Sequence, residues 1–80
     1  MGESGVVVYY KPGCPFAAKL RTKLALSRVP HISVDFHATK AARDQVRQVN
    51  DGNEISPTVR VGNQWLTNPT VRQIRQALAE

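Results

Sequence analysis

Apolar residues run unbroken from Val6 to Tyr10, β-branched first and aromatic last, the pattern of a central strand covered on both faces. Beyond a Pro12-Gly13 break the period changes. Ala17, Leu20 and Leu24 fall at i, i+3 and i+7, predicting a helix with cations on its other face. Pro30 ends that helix, and Val29 before it is biased away from helical backbone. His31 to Phe36 then alternates, with Ile32, Val34 and Phe36 facing one way, which predicts a half-buried strand. Ala38 to Asn50 reads as a second helix with Ala42, Val46 and Val49 as its apolar stripe. Asn50-Asp51-Gly52-Asn53 closes it, Gly52 being the residue expected in left-handed backbone.

The last third carries shorter elements. Ile55-Ser56-Pro57 introduces a strand over Thr58 to Val61. Gly62-Asn63 is a two-residue hairpin signal, so Gln64-Trp65-Leu66 should pair antiparallel to it. Thr67-Asn68-Pro69 is expected to start the final helix, capped by Thr67 or Asn68 with Pro69 in its first turn. Val71, Ile74 and Leu78 would be its buried face. The order is βαβαββα, an α/β class. The first two strands should run parallel through a right-handed crossover, and helices should cover both faces of a four-stranded mixed sheet. The 80 residues, 1–80, form a single domain without repeats or linkers. A chain of this length buries only about 60–65% of its unfolded surface, so its core is modest.

Charge and cysteine content narrow the classes. The net charge is +5, but Lys19, Arg21, Lys23 and Arg28 spread along one helix and Arg43, Arg47, Arg72 and Arg75 along two others. Without interleaved aromatics or a motif, that dispersion reads as solvated helix faces, and no nucleic-acid partner is expected. No apolar stretch approaches membrane-spanning length, and Met1-Gly2-Glu3-Ser4 lacks the basic and apolar regions of a signal peptide. One cysteine allows no internal disulfide, which points to a reducing compartment and a cytoplasmic protein.

That cysteine is Cys14, in the run Tyr9-Tyr10-Lys11-Pro12-Gly13-Cys14-Pro15-Phe16-Ala17. A strand that stops in a Pro-Gly turn and restarts as a helix leaves Cys14 at a helix N-terminus, where free N–H groups and the macrodipole favour an anion. A thiolate there has a lowered pKa, and Lys11 adds to the effect. Pro15 suits the first helical position. The competing reading is a small buried hydrophobe, the usual fate of a lone cysteine; the order of strand, turn, Cys-Pro and helix favours a reactive thiol. Tyr10 and Trp65 read as packing residues, and His31 and His37 as surface polar residues with no ligand spacing.

Lys11-Pro12-Gly13-Cys14-Pro15-Phe16 after the first strand and Ser56-Pro57 before the third resemble the glutaredoxin branch of the thioredoxin-like fold. Within it the likeness is to mycoredoxins, bacterial proteins that use mycothiol. Their Val-Asn-Gly-Gly-Asn, Thr-Val-Pro-Thr-Val and Leu-Thr-Asn-Pro runs are echoed by Val49-Asn50-Asp51-Gly52-Asn53, Ile55-Ser56-Pro57-Thr58-Val59 and Leu66-Thr67-Asn68-Pro69. The resemblance implies that Cys14 is the attacking cysteine and that Lys11 contacts a carboxylate of the bound small thiol. It makes Phe16 an aromatic wall of the site. It also implies a cis bond at Pro57, which sequence alone would assign as trans, and a Ser56 backbone that pairs with the cysteinyl portion of the substrate. Thr67 and Asn68 would receive a substrate carboxylate at a helix start. Apart from the resemblance, Lys11 is a strand-end cation, Phe16 a helix packing residue and Asn68 a cap.

Two departures bear on mechanism. Where dithiol relatives carry a second cysteine this chain has Ala17, which cannot resolve a mixed disulfide. The remaining route is a monothiol oxidoreductase acting on protein mixed disulfides with mycothiol or glutathione as co-substrate, without a metal and as a monomer. The single cysteine also leaves open an iron–sulfur cluster held between two chains, although Pro15 and Ala17 depart from the Cys-Gly-Phe-Ser pattern of such proteins. Ser56 replaces the valine usual before the proline, which leaves open a redox-inactive thiol-binding module.

Overall fold

The computed structural model describes residues 5–79. Met1 to Ser4, read above for a signal peptide, lie outside the described residues. Seven elements follow in chain order: β1 (Val6–Tyr10), α1 (Pro15–Leu26), β2 (His31–Asp35), α2 (Lys40–Val49), β3 (Thr58–Val61), β4 (Gln64–Thr67) and α3 (Val71–Leu78). They form one sheet of order β2-β1-β3-β4. β1 pairs parallel with β2 from Val6↔His31 to Tyr10↔Asp35, and antiparallel with β3 from Val6↔Val61 to Tyr9↔Thr58. β4 returns antiparallel along β3 through a two-residue turn in which Gly62 takes a positive φ of 59°.

β1 is central, and its alternating side chains serve both faces. Val6 and Val8 join Leu20 and Leu24 of α1, Val59 and Val61 of β3 and Ile74 of α3. Val7 and Tyr9 join Ala42 and Val46 of α2 and Phe36 beyond β2 on the other. Each fully buried Val or Leu contributes about 1.5–3 kcal/mol, so β1 is where the modest core is concentrated. The α/β order, the mixed sheet and the helices on both faces are those expected from the sequence, and they make a thioredoxin-like fold.

Four local expectations are corrected. Ile32 is 63% exposed, because β2 is an edge strand and the cluster under α2 reaches Val34 and Phe36 but not its start. Val49 and Leu78 are exposed, and the inward positions at those helix ends go to Asn50 and Ala77. α2 begins at Lys40 because Thr39 is extended, at φ −130° and ψ 118°, after a turn in which the Ala38 N–H donates to the Asp35 carbonyl at 3.1 Å. α3 starts later than expected, and neither Thr67 nor Asn68 is its cap. Thr70 is, in a reciprocal box: its hydroxyl accepts from the Gln73 N–H at 3.1 Å while its own N–H donates to Gln73 Oε1 at 2.8 Å. Pro69 is buried ahead of the cap. Among the described residues no helix is long and apolar enough to cross a membrane.

Candidate active site

The site is built where β1 ends. Gly13, at φ 81°, turns the chain so that the Cys14 N–H reaches back to the Lys11 carbonyl at 3.3 Å. Cys14 is extended (φ −78°, ψ 115°) and is the N-cap of α1. Pro15 fills the start of the helix, and the Cys14 carbonyl accepts the Ala18 N–H at 3.1 Å. No acidic residue stands in the first turn, so nothing on α1 offsets the positive helix end beside the sulfur. Ala17, three residues on, is buried at 1% exposure.

The loop before β3 closes the site from the neighbouring strand. The Ser56-Pro57 bond is cis, as the resemblance implied, and Pro57 is fully buried. Cys14 Sγ lies 3.6 Å from the Ser56 carbonyl oxygen, which accepts from the thiol. The Ser56 hydroxyl oxygen accepts the Lys11 backbone N–H at 3.1 Å. Burial is the strongest single influence on the Cys14 thiol and pushes its pKa up. The Ser56 hydroxyl, the N–H groups of Ala17 and Phe16 and the Lys11 charge together outweigh it, and the net pKa is lowered. Lys11, Cys14, Phe16, Glu54 and Ser56 line a cleft of about 420 Å³ around the sulfur. Phe16, 65% exposed, forms its rim rather than packing into a helix interface.

Thr67 and Asn68 stand differently. The Thr67 hydroxyl donates to Asn50 Oδ1 at 2.8 Å, and the Asn68 N–H donates to the Pro57 carbonyl at 2.8 Å, bracing the loop beside the site. Asn68, in left-handed backbone at φ 47°, lines a second cleft of about 430 Å³ between α1 and α3, with Phe16 at the border of both. The structure thus brings Lys11, Cys14, Phe16 and Ser56 into one cleft with Pro57 beneath. It places Asn68 in the adjoining cleft and ties Thr67 to Asn50. Tyr10 lies under the Arg21 guanidinium at 4.5 Å and Trp65 packs on Tyr9 at 5.4 Å, both as packing residues.

Two residues were not singled out from the sequence. Glu54 lines the Cys14 cleft, where Arg47 Nε donates to it at 2.9 Å and His37 Nε2 approaches at 3.3 Å. Its hydrogen bonds from Arg47 hold its carboxyl below the usual carboxylate range. Asn50, buried at 8% exposure, donates to the Val46 carbonyl at 2.8 Å and to Thr58 Oγ1 at 3.1 Å while accepting from Thr67. The Asn50 bond to Val46 keeps helical spacing, but its links to Thr58 and Thr67 and that of Glu54 to Arg47 cross between elements and follow no helix or strand period. Among the described residues no three His, Cys, Asp or Glu side chains gather to hold a metal ion. Cluster ligation by thiolates takes four, and this chain supplies one; the residues present do not make that site on their own.

The glutaredoxin family model matches residues 6–66. A protein described as a glutaredoxin in Mycobacterium tuberculosis is 30% identical over 81 residues, covering 100% of this chain and 96% of the relative. Mycoredoxin 1 of Corynebacterium glutamicum is 35% identical over 72 residues, 89% of each chain. Among solved structures, a Thr-to-Ala mutant of the thioredoxin-like protein BC3987 superposes with a TM-score of 0.78 at 23% identity, covering 92% of this chain and 94% of its own, a likeness of fold. A glutaredoxin from Brucella melitensis gives 0.65 at 25% identity over 79% of this chain and 67% of its own.

Proposed function

Because the chain belongs to the glutaredoxin family, whose members are thiol oxidoreductases, we propose that it is a monothiol enzyme reducing protein mixed disulfides through Cys14. The observation that carries this reading is a thiol of lowered pKa at a helix start, facing an open cleft, with buried Ala17 where a second sulfur would stand. The Cys14 thiolate attacks the small-thiol sulfur of a protein mixed disulfide. The Cys14–small-thiol disulfide forms, the protein–small-thiol bond breaks, and the protein departs as thiolate. A second small-thiol thiolate then attacks that adduct, freeing Cys14 as thiolate and leaving the symmetrical small-thiol disulfide.

The cleft residues divide the work. Lys11 faces the incoming thiolate and any carboxylate on the small thiol, and Phe16 walls the rim. Ser56 offers backbone groups to the cysteinyl portion and its hydroxyl to the Cys14 sulfur, so the serine before Pro57 supports ionisation of the thiol. Thr67 and Asn68 brace the far side, where Asn68 faces the adjoining cleft. Similarity to a mycoredoxin favours mycothiol as co-substrate, with glutathione the alternative. We place this activity in one domain acting as a monomer in the reducing cytoplasm.

The test is reduction of a mixed disulfide of either thiol, coupled to a thiol-regenerating system. We expect turnover by the wild type that Cys14→Ser abolishes, with mycothiol the faster co-substrate. Equal rates for wild type and Cys14→Ser would refute the reading.

A further inference from the structure

The cleft between α1 and α3 does not contain Cys14, and its charge is one-sided. Lys19 and Lys23 line it from α1 and Arg72 from α3, around an apolar floor that includes Leu20 and Val71. No carboxylate lines it. Among the described residues Asp44 pairs with Lys40 and Glu54 with Arg47, and none of Lys19, Lys23 and Arg72 has an ion-pair partner. Three cations held around one groove, with no internal counterion, complement an anionic ligand.

Distance along the helix sets how long a segment must be to meet the cations. At 1.5 Å rise per residue, Lys19 lies about 7 Å and Lys23 about 13 Å along α1 from its Cys14 cap. Reaching Lys23 takes about four extended residues at 3.3–3.6 Å each. A groove with an apolar floor and cations spaced along its length suits an extended acidic segment.

We infer that the α1–α3 groove docks an acidic segment of the protein half of the mixed disulfide, with Asp or Glu two to four residues from the modified cysteine. This rests on the oxidoreductase reading of Cys14 and adds the substrate class to it. Phe16 at the border of the two clefts gives the segment an apolar surface on its way from the sulfur to the cations.

The experiment measures binding and chemistry separately. Labelled peptides with Ser in place of the cysteine, one with acidic residues two to four positions away and one with their amides, are titrated by fluorescence anisotropy. The proteins are the wild type and the triple variant Lys19→Gln, Lys23→Gln, Arg72→Gln, whose substitutions are mild for helices. We expect the wild type to bind the acidic peptide about tenfold more tightly at low ionic strength, a preference that falls with added salt and disappears in the triple variant. Reduction of a small mixed disulfide by the triple variant should match the wild type. Equal affinity for the two peptides, or a preference that survives the triple substitution, would overturn the docking assignment. A single-stranded oligonucleotide of equal charge that binds more tightly than the acidic peptide would also overturn it. Failure of the wild type to reduce the small disulfide, with the peptide preference intact, would instead overturn the oxidoreductase reading and leave the docking surface standing.

Discussion

Ser56→Ala is the sharpest probe of how this thiol is ionised. The substitution leaves the backbone carbonyl that faces Cys14 Sγ at 3.6 Å, which favours the protonated form. It removes the hydroxyl that accepts the Lys11 N–H and favours the thiolate. A hydrogen bond to a charged group is worth ~1.5–3 kcal/mol; in a cleft open to water we take ~1 kcal/mol. That loss lowers the thiolate fraction about fivefold at any pH below the thiol's own pKa and leaves the fully ionised plateau untouched. The sign is fixed: without the donor the thiol pKa rises, so the variant is slow near neutral pH and catches up in alkali. Alkylation rate followed against pH reads this directly. Ser56→Thr, which keeps a hydroxyl, should restore the wild-type curve. A Ser56→Ala profile lying on that of the wild type would refute the hydroxyl's role.

Two further outcomes are expected. Asn50→Ala removes the side chain that joins the end of α2 to β3 and β4, leaving the Thr67 hydroxyl and the Val46 carbonyl without that partner. It should cost about 2–3 kcal/mol, lowering Tm by roughly 10–20 °C in thermal unfolding; a change under about 0.5 kcal/mol would contradict the network. For Glu54, the Arg47 hydrogen bonds hold the folded carboxyl below its ordinary range. Its stabilising contribution is complete above the unfolded carboxylate pKa of about 4.3 and is lost as pH falls through the lower folded value. Tm measured from neutral pH into acid should show wild type above Glu54→Gln at neutrality and the gap closing below the carboxylate range; a gap independent of pH would count against the ion pair.

What could be read in the chain beforehand follows from where burial decides the pattern. Val6 to Tyr10 lies at the sheet centre, and Ala17, Leu20 and Leu24 face it, so their apolar spacing carries direct information. Ile32 alternates correctly yet is exposed, because an edge strand keeps the period of a buried one without a helix above all of it. At the start of α3 the expected cap was Thr67 or Asn68, whereas Gln73, three residues past Thr70, closes a capping box with Thr70, a local pattern that this expectation passed over. Lys11, Cys14, Phe16 and Ser56 share a cleft because β1 and β3 are neighbours. Lys19, Lys23 and Arg72 looked like dispersed surface charge, because only the packing of α1 near α3 sets them around one groove.

The contact between Cys14 and Ser56 joins positions 42 residues apart, across strands that meet only when β3 lies against β1. A chain whose C-terminal hairpin has peeled away therefore loses the Ser56 share of the thiol's activation and keeps only what Lys11 and the Phe16 and Ala17 N–H groups supply. The nucleophile reaches full strength only when the sheet is complete, so a labelling reagent that selects for fast-reacting sulfur favours finished molecules over immature ones.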